Sequence, residues 1–264
     1  MRNLLPREHG AWGLLLQPFA AAIAVMGGRW TWLYLAVLGL TLGGFLVREP
    51  LVVWLRHRYL WKKRAPIADL ALRYAAALLA VIGASALALG RALSWLPLIA
   101  FCGIGLGLTV ISVKLTLANQ QRSIALQAVS AAGLTSSCLL AAWAALGDFP
   151  RWAWLLWGVL AVHAIGAIPV VHAWLQFKAR KVTAPRLNTL AAVFQVLVLA
   201  GAGALYANGS ALWLPMAFSA LANAAEVWRV RKPENLAEPV KEVGRRLLLV
   251  SLVHTVLSAW AVRF

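Results

Sequence analysis

The sequence predicts an all-α polytopic membrane protein, and three observations carry that reading. Of its 264 residues 62% are hydrophobic and only 12% charged, roughly half the charged share of an ordinary soluble domain. The apolar residues gather in nine windows, each near the roughly 20 residues a helix needs to cross a hydrocarbon core about 30 Å thick. The charges, 25 Lys+Arg against 8 Asp+Glu for a net +17, crowd into alternate connections between those windows. A pI near 11.4 would suit a nucleic-acid binder. Such a protein needs a wettable surface, and fourteen tryptophans set in apolar runs do not supply one. A nucleic-acid partner, a disordered basic tail and a secreted disulfide scaffold are therefore excluded.

The windows lie at about 11–27, 32–55, 70–89, 95–113, 124–146, 152–176, 187–206, 211–228 and 247–262. The first follows Arg2 and Arg7 like a signal peptide, but eight further spans make it a retained anchor. Gln17-Pro18 within it predicts a local kink, because proline removes a backbone donor and crowds the preceding turn. Tight turns are expected at Gly27-Gly28-Arg29, Gly90-Arg91-Ala92, Gly147-Asp148-Phe149-Pro150 and Asn208-Gly209-Ser210. Trp30, Trp32, Trp95, Trp152, Trp154 and Trp213 sit at the ends of spans on that side, where a ring can be buried while its N–H stays wet. Cys102 and Cys138 fall inside spans and read as small packing residues. No segment is long enough for a separate soluble domain, so residues 1–264 are read as one integral membrane domain.

Charge fixes the expected orientation. The amino terminus, the basic connections and the helix ends beside them hold 21 of the 25 Lys+Arg, against Arg29, Arg91, Arg151 and Arg263 on the other side. The positive-inside rule then places the amino terminus in the cytoplasm and, with nine spans, the carboxyl terminus outside.

A weak repeat appears at an offset of 119 residues. It lays Pro50 on Pro169, Val52 on Val171, Lys62 on Lys181, Ala65 on Ala184 and Pro66 on Pro185, five identities in 17 ungapped positions, with Asp69 on Asn188. Each copy reads as a helix reaching the cytoplasm, a basic connection ending in Ala-Pro, and the next helix. The second–third and sixth–seventh spans are thus expected to be corresponding hairpins, related by an axis along the membrane normal.

Ionisable groups within spans are costly and mark candidate sites. Arg48-Glu49-Pro50 lies inside the second span; four-residue steps from Glu49 reach Val53 and His57, and Arg48 and Arg56 share a neighbouring face. His172, Gln176 and Arg180 form a polar stripe at the inner end of the sixth span, with His163 further out. Arg7, Glu8 and His9 precede the first span, and Asn119, Gln120, Gln121 and Arg122 link the fourth and fifth, with Gln127 slightly deeper. Asn223 and Glu226 lie at the inner end of the eighth span, while His254 in the ninth reads as packing. Arg56, Arg58, Lys62, Lys63 and Arg64 read as headgroup anchors. No glycine-rich phosphate loop, Cys/His metal spacing or Ser/His/Asp set is present, and no cofactor or metal is expected. Carboxylates are too few for a magnesium–diphosphate site.

Pro6-Arg7-Glu8-His9-Gly10-Ala11-Trp12-Gly13, followed by Arg48-Glu49-Pro50, closely resembles the YwiC-like family of bacterial membrane proteins, whose activity is not characterised. That resemblance implies the bacterial cell (inner) membrane. More distantly the chain is similar to the UbiA superfamily of intramembrane prenyltransferases. This likeness implies a ring of nine helices around a lipid-accessible, cytoplasm-facing cavity, with aspartate-rich motifs on the second and sixth helices. Here those positions hold Glu49, Val53 and His57, and His172, Gln176 and Arg180. The missing aspartates argue against magnesium-dependent prenyl transfer and leave open whether the protein is an enzyme.

Three functions follow as expectations. The first is binding of an isoprenoid or other anionic amphiphile in a cationic cavity among the membrane lipids. Arg7, Arg48, Arg122 and Arg180 would face its head, with Glu8, His57, Asn119 and Gln176 beside them. His9, Glu49 and His172 would be the catalytic candidates if a proton moves. The second is a small proton-coupled transporter with His172, Glu49 and Glu226 as relay. The third is a non-catalytic accessory or assembly protein.

Overall fold

The computed structural model describes residues 9–62, 65–118, 120, 123–180 and 185–264, the side chains of His9, Gly10, Arg180, Pro233, Leu236 and Val240 excepted. Among the described residues every regular element is helical. In chain order these are α1 (His9–Val25), α2 (Leu33–Leu55) continued by a π-helical turn (Arg56–Leu60), α3 (Pro66–Ala92) and α4 (Trp95–Leu117). Then come α5 (Ile124–Thr135), α6 (Ser137–Leu146), α7 (Arg151–Arg180), α8 (Pro185–Ala207) and α9 (Trp213–Val230), a 3-10 turn (Pro233–Ala237) and α10 (Val240–Ala261).

Seven helical segments are long and apolar enough to cross a membrane: 33–60, 66–92, 95–117, 124–146, 151–179, 185–207 and 241–261. Two of the nine expected spans stand apart from this set. α1 has 17 residues, and α9 has 18 among which Asn223, Glu226 and Arg229 dilute the apolar content. Lipid explains what the seven segments display. Leu96, Ile99, Ile104, Leu106 and Val110 of α4 are exposed, as are Val193, Val196 and Leu197 of α8 and Leu249, Leu252 and Val256 of α10. Continuous apolar faces of this kind mark a membrane surface. The chain is an integral, multi-pass membrane protein.

The glycine turns form where expected: Gly27, Gly28, Gly147 and Gly209 all take positive φ, between 70° and 76°, a region that favours glycine. Gly90-Arg91-Ala92 is the exception. It remains helical, and the chain turns at Leu93 and Ser94 instead. The reason is steric, since a Cβ on Gly90 would stand 2.6 Å from the Trp95 ring. Gly90 admits the indole and does not break the helix. The expected span at 124–146 is also interrupted. Thr135 Oγ1 donates to the Ala131 carbonyl (3.0 Å), Ser136 Oγ to Gly133 (2.6 Å) and Ser137 Oγ to Leu15 (2.7 Å). Three consecutive hydroxyls competing for backbone carbonyls separate α5 from α6.

The chain divides into two compact units. Unit 1 comprises residues 1–15 and 29–149, and unit 2 comprises residues 16–28 and 150–264. In unit 1, α2 packs along α3 and against α4 and α6; in unit 2, α7, α8, α9 and α10 pack around a shared core that includes Val170, Trp174, Phe177, Ala191, Val227 and Val230. The repeat maps onto this division. α2 and α7 each carry an internal proline, Pro50 and Pro169, while α3 and α8 each begin on a proline, Pro66 and Pro185. Proline suits a helix start because its missing N–H would have no intrahelical partner there. The buried faces are one residue out of the repeat's register: Ala68, Ala71 and Ala75 of α3 align with Asn188, Ala191 and Gln195 of α8 at an offset of 120 residues, not 119.

Candidate functional site

In unit 1 the polar groups of α2 and its π-helical continuation meet the C-terminal end of α4. Arg48 lies 3.8 Å from Glu49, and its Nη2 donates to Thr116 Oγ1 at 3.3 Å. Arg56 Nη2 donates to the Thr116 carbonyl at 3.0 Å. Thr116 is buried and gives its own hydroxyl proton to the Ser112 carbonyl (2.7 Å), so its oxygen is oriented to accept from Arg48. Arg56 thereby serves the C-terminal end of α4, where the helix dipole favours a cation. The two arginines lie eight residues apart on one face of α2, as their spacing predicted.

The π turn follows at once. Trp61 N–H bonds the Arg56 carbonyl at 2.8 Å, a five-residue step that widens the helix. His57 sits on this turn with its ring edge-on to Trp61, centroids 4.7 Å apart, and its Nδ1 is buried with no hydrogen-bond partner among the described residues. Glu49 pairs with Arg48 and not with His57. Eight helical residues separate Glu49 and His57 by about 12 Å along the axis, too far for contact.

In unit 2, His172 is half-buried and Gln176 exposed, whereas the adjacent Ala173, Trp174 and Phe177 fill the core. His172 and Gln176 therefore border the packed face of α7. Arg7, Glu8, Asn119 and Arg122 lie outside the described residues, as do the side chains of His9 and Arg180.

Two polar assemblies of unit 2 were not predicted as such. Near the C-terminal end of α9, Glu226 accepts from Trp174 Nε1 (3.1 Å) and from Arg246 through Nε (2.8 Å) and Nη2 (3.1 Å). Arg246 also donates to both oxygens of Glu238, and Arg229 stands 3.6 Å from Glu238 and 4.0 Å from Glu226. The hydrogen bonds from Arg246, with Arg229 beside them, hold the Glu238 carboxyl below the ordinary glutamate range. Lys178 caps the assembly, donating to the Asn235 carbonyl at 3.0 Å above the Trp174 ring. Further along the same helices, His163 of α7 and His254 of α10 stack with centroids 4.3 Å apart. His163 Nδ1 lies 2.7 Å from Ser219 Oγ, and His254 Nδ1 lies 3.0 Å from the Pro215 carbonyl. The pairing of residues 91 positions apart leaves no local signal, although the polar spacing of Ser219, Asn223 and Glu226 along α9 was there to be read.

Among the described residues no group of three His, Cys, Asp or Glu could hold a metal ion, and both cysteines are free. No curated protein and no solved structure matches the chain. A family model described as YwiC-like protein matches residues 5–142, more than half of the chain and nearly all of unit 1, Arg48-Glu49-Pro50 included. The chain belongs to the YwiC-like family.

Proposed function

We propose that this protein binds an isoprenoid or another anionic amphiphile through the cationic inner end of unit 1, in the bacterial cell membrane. The observation that carries this reading is the convergence of two guanidiniums, Arg48 and Arg56, on Thr116 of α4, with Glu49 beside Arg48. Cations gathered within a span mark a candidate site, and the planar guanidinium fork suits phosphate or carboxylate oxygens. The lipid-exposed face of α4 beside it would suit an apolar tail.

The wider architecture belongs to the same proposal: a single membrane domain of nine spans in a UbiA-like ring, the cavity and amino terminus facing the cytoplasm and the carboxyl terminus outside. The charge asymmetry and the repeat of α2–α3 in α7–α8 support it. Within unit 1, Arg7, Glu8, Asn119 and Arg122 would complete the rim, and His9 and Glu49 would serve any proton transfer.

Farnesyl diphosphate, palmitate and uncharged farnesol test the reading with purified protein in detergent. The two anions should bind and farnesol should bind far more weakly. Arg48→Gln should cost about 1.5–3 kcal/mol, the range of a hydrogen bond to a charged group, which is roughly tenfold to hundredfold in Kd. Equal binding of farnesol, or unchanged affinity in the variant, would remove the basis for the proposal.

A further inference from the structure

The buried face of α9 presents Ser219, Asn223 and Glu226 in turn, at four- and three-residue spacing, toward the interior of unit 2. Each belongs to a different environment. Ser219 is tied to His163, and Glu226 to Trp174 and Arg246. Asn223 between them is fully buried, and neither atom of its amide has a hydrogen-bond partner among the described residues. Ala191 of α8 and Val227 of α9 share one core cluster, and one turn further out in each helix stand Gln195 and Asn223. Gln195 Nε2 donates to the Gly166 carbonyl of α7 at 3.1 Å. Pro169 in that helix deprives the neighbouring Ile165 carbonyl of its helical donor. The middle of unit 2 is therefore polar at three helices, where an apolar core would cost less.

We propose that unit 2 contains a proton path running down this face of α9, through His163, Ser219, Asn223 and Glu226. The spacing fits. Ser219 and Asn223 are separated by about 6 Å of helix rise, and Asn223 and Glu226 by about 4.5 Å. One water making two hydrogen bonds of about 2.8 Å closes a gap of that size, and an amide that both donates and accepts can hold it. Protonated His163 gives its Nδ1 proton to Ser219 Oγ as the serine hydroxyl proton passes to the water on Asn223. A second water on the other side of the Asn223 amide takes a proton from the first and passes one to the Glu226 carboxylate. The step leaves His163 neutral, Ser219 and both waters restored, and Glu226 protonated. Arg246 keeps Glu238 as its counter-ion when Glu226 is neutral, so no guanidinium is stranded. The other charged or titratable groups packed against the path are His254, stacked on His163, and Arg229 near Glu226. This path involves neither Arg48 nor Arg56 and does not depend on the amphiphile reading.

Full-length protein in liposomes that enclose a pH-sensitive dye, with the membrane potential clamped by potassium and valinomycin, gives the test. Wild-type vesicles should admit protons faster than protein-free vesicles. Asn223→Leu should lose that excess while keeping or raising Tm, because leucine removes two unpartnered buried polar atoms. Asn223→Ser, which still holds a water, should retain part of the rate. If Asn223→Leu does not fold, Ser219→Ala carries the same expectation, checked by a monodisperse elution profile. Wild-type vesicles no faster than protein-free ones, or Asn223→Leu as fast as wild type, would overturn the proposal.

Discussion

In unit 1, Arg48 and Arg56 converge on a hydroxyl and a backbone carbonyl of Thr116; in unit 2, Arg229 and Arg246 face two carboxylates, Glu226 and Glu238. Both arrangements occur beside the same repeated hairpin, α2–α3 in one unit and α7–α8 in the other. The difference separates two uses of buried charge. A balanced network satisfies its own members and holds helices together; its strength depends on every partner being present. Guanidiniums that converge on a hydroxyl and a carbonyl keep N–H donors that an outside anion can also engage. The network of unit 2 ties α7, α9 and α10 together, with Glu226 also the end of the proposed proton path, while the pair of guanidiniums in unit 1 is the proposed binding site.

The comparison can be broken most sharply by removing one carboxylate from each unit. Glu226→Ala leaves Arg246 to Glu238 alone and deprives the Trp174 N–H of its acceptor, and should cost about 1.5–3 kcal/mol, the range of a hydrogen bond to a charged group. Glu49→Ala removes a more exposed, longer ion pair and should cost at most about 1 kcal/mol. Thermal unfolding in detergent reads both. A Glu49 variant as damaged as the Glu226 variant would mean that unit 1 is equally closed.

Packing offers the next test. A Cβ at Gly166 of α7 would come within 2.7 Å of the Phe194 ring, whereas one at Gly103 of α4 would meet nothing within 4 Å. Gly166→Ala should therefore cost about 1–3 kcal/mol through overpacking. Gly103→Ala should be neutral or slightly stabilising, since alanine is the better helix former. Equal Tm values for the two would contradict the described contact of α7 with α8.

The smallest effect is on pH. Glu238 titrates below the ordinary glutamate value because Arg246 hydrogen-bonds its charged form. Its contribution to stability is thus present above the unfolded value near 4.5 and lost as pH falls through the lower folded value. Glu238→Gln should lower Tm at neutral pH and remove part of the acid-side decline. The wild-type and variant curves should converge at low pH.

Local signals carried most of the fold. Apolar windows located the helices, and Gly27, Gly28, Gly147 and Gly209 located turns because positive φ is a property of the residue itself. Gly90 misled because a glycine that admits the Trp95 ring has the same letter as one that ends a helix. The break at Ser136 depends on hydroxyls returning to carbonyls of their own helix and, from Ser137, on Leu15, which spacing alone does not reveal. At the site, the pairing of Arg48 with Glu49 and the shared face of Arg48 and Arg56 were legible, being contacts within one helix. Thr116, 68 residues from Arg48, was not. Nor was the partnership of Glu226 with Arg246, 20 residues away in another helix.

The central claim is that the inner end of unit 1 takes an anionic amphiphile. Native mass spectrometry of the protein extracted from its own membrane tests it most directly, comparing wild type with the Arg48→Gln/Arg56→Gln double variant. Wild type should carry an added mass that belongs to an anionic, lipid-soluble molecule, and the double variant should elute as a folded protein without it. A wild-type spectrum of bare protein, or the same adduct on both proteins, would contradict the account.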